Sequence, residues 1–292
     1  MKIRLRTFSA QKTASRVFLN TMISKAFLSG FLFASLFAFA NCQNNHDSLP
    51  APLLDFIVLD YVISQDPDRS AVYFSTVRSV GVEVAYETGA TPEDGTFASV
   101  VPPMPVWDVT RRNLENVFAN RGYSVSVSTP SGVSGEMQEL PGQGKEIWSV
   151  VDLVTLASKY RRKSSDFQTA NFFVVFVKGK MNDSNIIAIT ISGVFNIGAP
   201  AVFVFKDIIN TFPLQYRKSG EQSTVVHELG HALGLVNNGI PMQSSHQDLS
   251  HGAHCTNKKC TMYYSIQLDN FNASTPLIYG DECLSDIRNY KP

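Results

Sequence analysis

Apolar and polar residues alternate over residues 71–77 and again over 80–86, with β-branched and aromatic side chains among them, and this period of two predicts two strands. A glycine-, proline- and acid-bearing stretch at 89–95 breaks the pattern as a loop. Leu114, Val117 and Phe118 then fall on one helical face, predicting a helix over 109–120 with Asp108 as its N-cap and Gly122 as its stop. Alternation returns over 123–128 as a further strand. After a Gly/Ser/Pro-rich loop at 129–145, Ile147, Val150, Val151, Val154 and Leu156 form the stripe of a helix over 146–162. Its basic end, 159–163, reads as a solvated helix C-terminus opposing the negative end of the dipole. Three apolar strands follow at 171–178, 186–192 and 201–205, separated by short Gly- and Asn-bearing connections. The order predicts an α/β domain: a mixed sheet backed by two helices, with one more helix after it.

Composition narrows the function classes. The 292-residue chain is 44% hydrophobic, enough for one large core, and its 25 basic residues balance 25 acidic ones, so no global field points to nucleic acid as partner. Residues 27–40 are uncharged and rich in Phe, Leu and Ala, a run of signal-peptide length. Residues 1–42 therefore read as an export signal, with Met22 and Lys25 offering a more ordinary start than the long basic preface from Met1. Cys42 follows Ala40-Asn41 in the manner of a lipoprotein signal, although Asn41 is larger than the residue such signals carry there. Residues 43–70 read as tether and lead-in, with His46 solvated, and 71–292 as the catalytic domain of an exported, membrane-anchored monomer.

The chemistry concentrates at Thr224-Val225-Val226-His227-Glu228-Leu229-Gly230-His231-Ala232-Leu233-Gly234. On a helix, positions i and i+4 lie about 40° apart in projection and one turn along, so His227 and His231 can reach one ion. Glu228 is rotated by about 100° from His227, placed to act as general base on a metal-bound water rather than as a ligand. Gly234 can stop the helix and turn the chain back. A catalytic zinc normally takes three protein ligands, and the next stretch holds His246, His251 and His254, half of the six histidines in the chain.

The extended motif resembles the metzincin metalloproteases, in which a histidine or aspartate three residues after the glycine completes the site; here that place is Asn237, a poor zinc ligand. The run His254-Cys255-Thr256-Asn257-Lys258-Lys259-Cys260-Thr261-Met262 is similar to the archaemetzincin branch. That likeness implies a metzincin-like mixed twisted sheet, His254 as third zinc ligand, and Met262 as the methionine beneath the metal. His246 and then His251 stand as rivals to His254. Met262-Tyr263-Tyr264 is similar to the Met-x-Tyr of some metzincins and implies Tyr264 as an oxyanion donor. The branch also implies a structural zinc held by four cysteines, but the place of the fourth is Asp286. In an oxidising compartment the expectation is instead a disulfide, joining Cys255 to Cys260 or either to Cys283.

These readings imply a zinc (Zn2+) endopeptidase acting on protein or peptide substrates, in which Glu228 relays a proton from water to the leaving amine and residues 186–192 receive the substrate as an added strand. The alternatives are a surface binding or adhesion lipoprotein that has lost turnover, against which the intact Glu228 counts, and a zinc amidase acting on cell-wall peptides.

Overall fold

The computed structural model describes residues 69–97, 101–191, 200–268 and 276–292. The export signal, Cys42 and nearly all of the tether lie outside these residues. Among those described, no helix is long and apolar enough to cross a membrane.

The chain runs α1 (Arg69–Ser75), β1 (Ser79–Glu87), β2 (Thr96–Phe97), β3 (Met104–Pro105), α2 (Asp108–Phe118), β4 (Ser126–Ser128), β5 (Gln138–Leu140), β6 (Ile147–Trp148), α3 (Val150–Tyr160), β7 (Thr169–Val177), β8 (Lys180–Met181), β9 (Ala188–Ile191), β10 (Ala201–Phe205), α4 (Lys206–Ile209), α5 (Arg217–Leu233) and α6 (Asp281–Asn289). It is a mixed α/β fold. The central sheet has the order β4-β1-β7-β10-β9, with β5 pairing β1 further along. All its pairings are parallel except β10 with β9, so the one antiparallel strand ends the sheet.

The period of two along β7 explains how the sheet serves two cores. Ala170, Phe172, Val174 and Phe176 face the layer that contains α1, α2, α5 and α6, while Phe173, Val175 and Val177 face α3. Strand β10 divides likewise, with Val202 and Val204 on the first face and Ala201, Phe203 and Phe205 on the second. A parallel sheet covered on both faces needs such continuously apolar strands. By the same parity Ala188 and Thr190 of β9 face α5, and Ile189 and Ile191 face away from it.

Five local expectations change. Residues 71–77 are not a strand: Tyr73, Phe74 and Val77 are all buried, a spacing that fits one helical face, and α1 forms there. Asp108 is the first helical residue of α2 rather than its cap; Trp107 occupies the cap with helical dihedrals, and the Asp108 carboxylate pairs with Arg111 at 2.9 Å in the first turn. Helix α3 starts at Val150, where Ser149 and Asp152 form a reciprocal capping box, and its buried residues are Leu153, Leu156 and Ala157 while Val151 is exposed. The basic end of α3 is solvated at Lys159, Arg162 and Lys163, but Arg161 is buried. Within the expected loop at 129–145, β5 pairs residues 85–87 of β1.

Candidate metal centre

Helix α5 is buried along nearly its whole length, which is unusual for a segment with so few apolar residues. Its apolar positions Val225, Val226, Leu229, Ala232 and Leu233 pack into the core, and several of its polar side chains meet specific partners. Gln222 accepts a hydrogen bond from Thr110 at 2.8 Å. Glu221 is bound by Lys206 Nζ at 2.5 Å, and Lys206 also reaches Glu93 at 2.9 Å. Burial raises Glu221 to about 7 against the opposing pull of Lys206.

The helix ends at Gly234, whose φ of 94° is left-handed, and its N–H bonds the carbonyls of Gly230 and His231. A Cβ there would run into Ser70 Oγ, the hydroxyl that donates to the Leu233 carbonyl at 2.8 Å. Val236 and Asn237 also take positive φ, at 55° and 58°, so the chain reverses sharply after the helix. Asn237 is exposed and contacts Gln247. It stays out of the histidine cluster.

The reversal returns a loop that presents His254 to the helix. Its backbone is stitched by Asp248 N–H to the His254 carbonyl at 2.6 Å and Cys255 N–H to the Met262 carbonyl at 2.8 Å. His227, His231 and His254 are then all buried, with ring centroids 4.7, 5.2 and 5.0 Å apart and one nitrogen of each within 4.8 Å of the others. The Nε2 atoms of His227 and His231 lie 3.0 Å apart, against about 3.3 Å for two nitrogens on one tetrahedral ion. His227 Nδ1 donates to the Thr261 carbonyl and His254 Nδ1 to the His251 carbonyl, each at 2.6 Å. A carbonyl only accepts, so Nδ1 carries the hydrogen in both rings and Nε2 carries the lone pair, the tautomer that can ligate an ion. Burial pushes His227 down to about 3 and His254 down to about 4, so both are neutral at pH 7, the ligating state. The three residues can hold a metal ion.

Glu228 is fully buried beside His227, and burial raises its carboxyl to about 7 against the hydrogen bonds from Thr190. Thr190 Oγ lies 2.7 Å from Glu228 Oε2 and 2.8 Å from the Glu228 carbonyl. The other carboxyl oxygen, Oε1, has no partner among the described residues. A buried, unmatched acceptor on the residue directly after one of the converging histidines fits a site built for an additional polar group.

No family model and no curated protein matches this chain. Among solved structures it is similar to metalloproteinase-II from Bacteroides fragilis, with 12% identity and a TM-score of 0.40 over 74% of this chain and 55% of that chain. The chain thus spans about half the length of that protein. Likeness at that level leaves the site to be argued from these residues alone. The archaemetzincin likeness likewise rests on the residues from His254 to Met262 and gains nothing from a family model.

The remaining sequence candidates separate by place. His246 lies among the cysteines, not with the other imidazoles. His251 is half-buried, donates to Asp248 at 2.7 Å and stacks on Tyr264 with centroids 3.6 Å apart. Met262 is fully buried, and its sulfur lies against Gly230 between the two helical histidines. The expected disulfide is absent: Cys255, Cys260 and Cys283 are free and buried, with the Cys260 and Cys283 sulfurs 3.5 Å apart. Thr190 was not anticipated. Its signal is a single polar residue inside the apolar run Ala188-Ile189-Thr190-Ile191.

Proposed function

We propose that this chain is a zinc-dependent endopeptidase whose ion is held by His227, His231 and His254 and whose general base is Glu228. The observation that carries this reading is the convergence of three buried imidazoles, with a buried carboxyl group on the residue directly after the first of them. A bound zinc supplies Lewis acidity, lowering the pKa of a coordinated water from 15.7 to about 7 and polarising a carbonyl. Glu228 takes the proton from the attacking water through Oε1 and passes it to the leaving amine, with Thr190 holding Oε2 in place. The Thr261 and His251 carbonyls fix the ring orientations of His227 and His254. Tyr264, oriented by its stack on His251, donates to the developing oxyanion. Strand β9 ends the sheet beside Glu228, and an extended peptide adding to it as an antiparallel strand would pass the base.

The apolar run at 27–40 followed by Cys42 supports export and lipid anchoring, tested by loss of fatty-acid labelling in Cys42→Ser. The hydrolytic reading is tested on a mixture of fluorogenic peptides. Cleavage should vanish with a chelator, return with zinc, and be absent from a Glu228→Ala protein that still carries zinc. Undiminished cleavage by Glu228→Ala would remove the mechanism.

A further inference from the structure

A second cluster of metal-ligating side chains lies beside the first and is used by none of the chemistry above. A ring nitrogen of His246 and the sulfurs of Cys255 and Cys283 lie within 4.8 Å of one another, and all three residues are buried. Cys260 joins them, its sulfur 3.5 Å from that of Cys283 and in contact with Cys255. Two thiolates on one tetrahedral zinc sit about 3.8 Å apart, so the Cys260 and Cys283 sulfurs already have the spacing of co-ligands. Nδ1 of His246 is 3.3 Å from Cys255 Sγ.

The surroundings are those of a ligand shell. His246 Nε2 lies 2.6 Å from Asp286 Oδ2, and a carboxylate draws the hydrogen to Nε2 and leaves the Nδ1 lone pair facing the sulfurs. The second oxygen of Asp286 accepts from Gln243 N–H at 2.7 Å, so the fully buried carboxylate is itself held in place. Backbone N–H groups of Asn257 and Gly280 point at the sulfurs of Cys255 and Cys260, at 3.4 and 3.0 Å.

We propose that Cys255, Cys260, Cys283 and His246 form a second, structural zinc centre, with Asp286 orienting His246. The likeness to a four-cysteine site fails in this chain at Asp286, and the structure supplies a different fourth ligand, drawn from the loop after Gly234 and backed by that same aspartate. Four protein ligands of three sulfurs and one nitrogen leave no open position, which makes the centre structural rather than catalytic. It ties α6 to the loop after α5. Cys255 directly follows His254, so the knot also fixes the third imidazole of the first site.

The test uses the full chain carrying His227→Ala and His231→Ala, which removes the first site and makes the outcome independent of any hydrolysis. It should retain one zinc, and cobalt in its place should show sulfur-to-cobalt charge-transfer absorption with the intense visible bands of tetrahedral geometry. Adding Asp286→Asn should lower metal affinity by about 10–100-fold, and His246→Ala by more with a shifted cobalt spectrum. A cobalt spectrum without sulfur bands overturns the proposal. So does a disulfide found by thiol titration of the unreduced, denatured protein, or a His246→Ala protein that is folded by circular dichroism and binds cobalt with unchanged affinity and spectrum. Should His246→Ala not fold, Asp286→Asn decides, and unchanged affinity in that variant contradicts the role given to His246.

Discussion

Gly230 sits between the two helical histidines, and replacing it by alanine tests whether the floor of the site is built as described. A Cβ at this position would run into Met262 Sδ, with Met262 Cε 3.2 Å and Leu235 Cδ1 3.1 Å away. Met262 and Leu235 are both fully buried, so neither has open space to move into. Forcing a methyl into such a core costs about 1–3 kcal/mol, and alanine's helix preference over glycine returns about 1 kcal/mol. The net loss is about 0–2 kcal/mol, a fall of at most about 8 °C in Tm for a domain of this size. The effect on metal should be larger. Met262 adjoins Thr261, whose carbonyl orients His227, so displacing the methionine tilts a ligand and should weaken zinc binding by about 10–100-fold. Thermal unfolding and competition with a chromophoric chelator read the two quantities separately. Gly230→Ala combined with Met262→Ala should be less destabilised than the sum of the single changes, because the added methyl fills space the methionine leaves. Parental zinc affinity in Gly230→Ala, or strict additivity in the pair, would refute the packing argument.

Two further outcomes follow from the polar contacts of the same helix. Thr190→Val keeps the shape and removes the hydroxyl held by Glu228; kcat should fall about 10-fold, equivalent to about 1.4 kcal/mol, with KM and zinc content unchanged and Thr190→Ser near parental. A Thr190→Val enzyme with full kcat would take Thr190 out of the mechanism. Lys206→Met leaves Glu221 buried without its cation and should cost about 3–5 kcal/mol at pH 8. Glu221 then binds its proton more tightly folded than unfolded, so stability of the variant should rise as pH falls from 8 toward the unfolded carboxyl value of about 4.3. Denaturant midpoints that stay level or drop over that range would contradict the assignment.

Much of this arrangement was legible in the chain because its signals are periodic. The apolar alternation of β7 and β10 and the histidine spacing on α5 each state their geometry within one element. What was not legible depends on partners remote in sequence. Residues 71–77 read as a strand because the stretch is short, and only its docking through Ser70 onto the end of α5 selects a helix. The three-residue strand β5 carries too few positions to show a period. Asp286 looked like the failure of a four-cysteine pattern; its meaning emerges only when the fold brings His246 onto it across 40 residues. His254 was favoured over His246 and His251 by resemblance, whereas the carbonyl that holds its Nδ1 belongs to His251 and appears only in the folded loop.

The central claim is that one zinc ion is held by the two histidines of α5 and the one histidine returned by the loop. The most direct measurement is an anomalous difference map, recorded above and below the zinc absorption edge, from a crystal of the full chain grown with zinc. The account predicts a peak at about 2.0–2.1 Å from Nε2 of His227, His231 and His254. A map with no peak there, or one in which His254 is replaced by His246 or His251 as the third ligand, would contradict it.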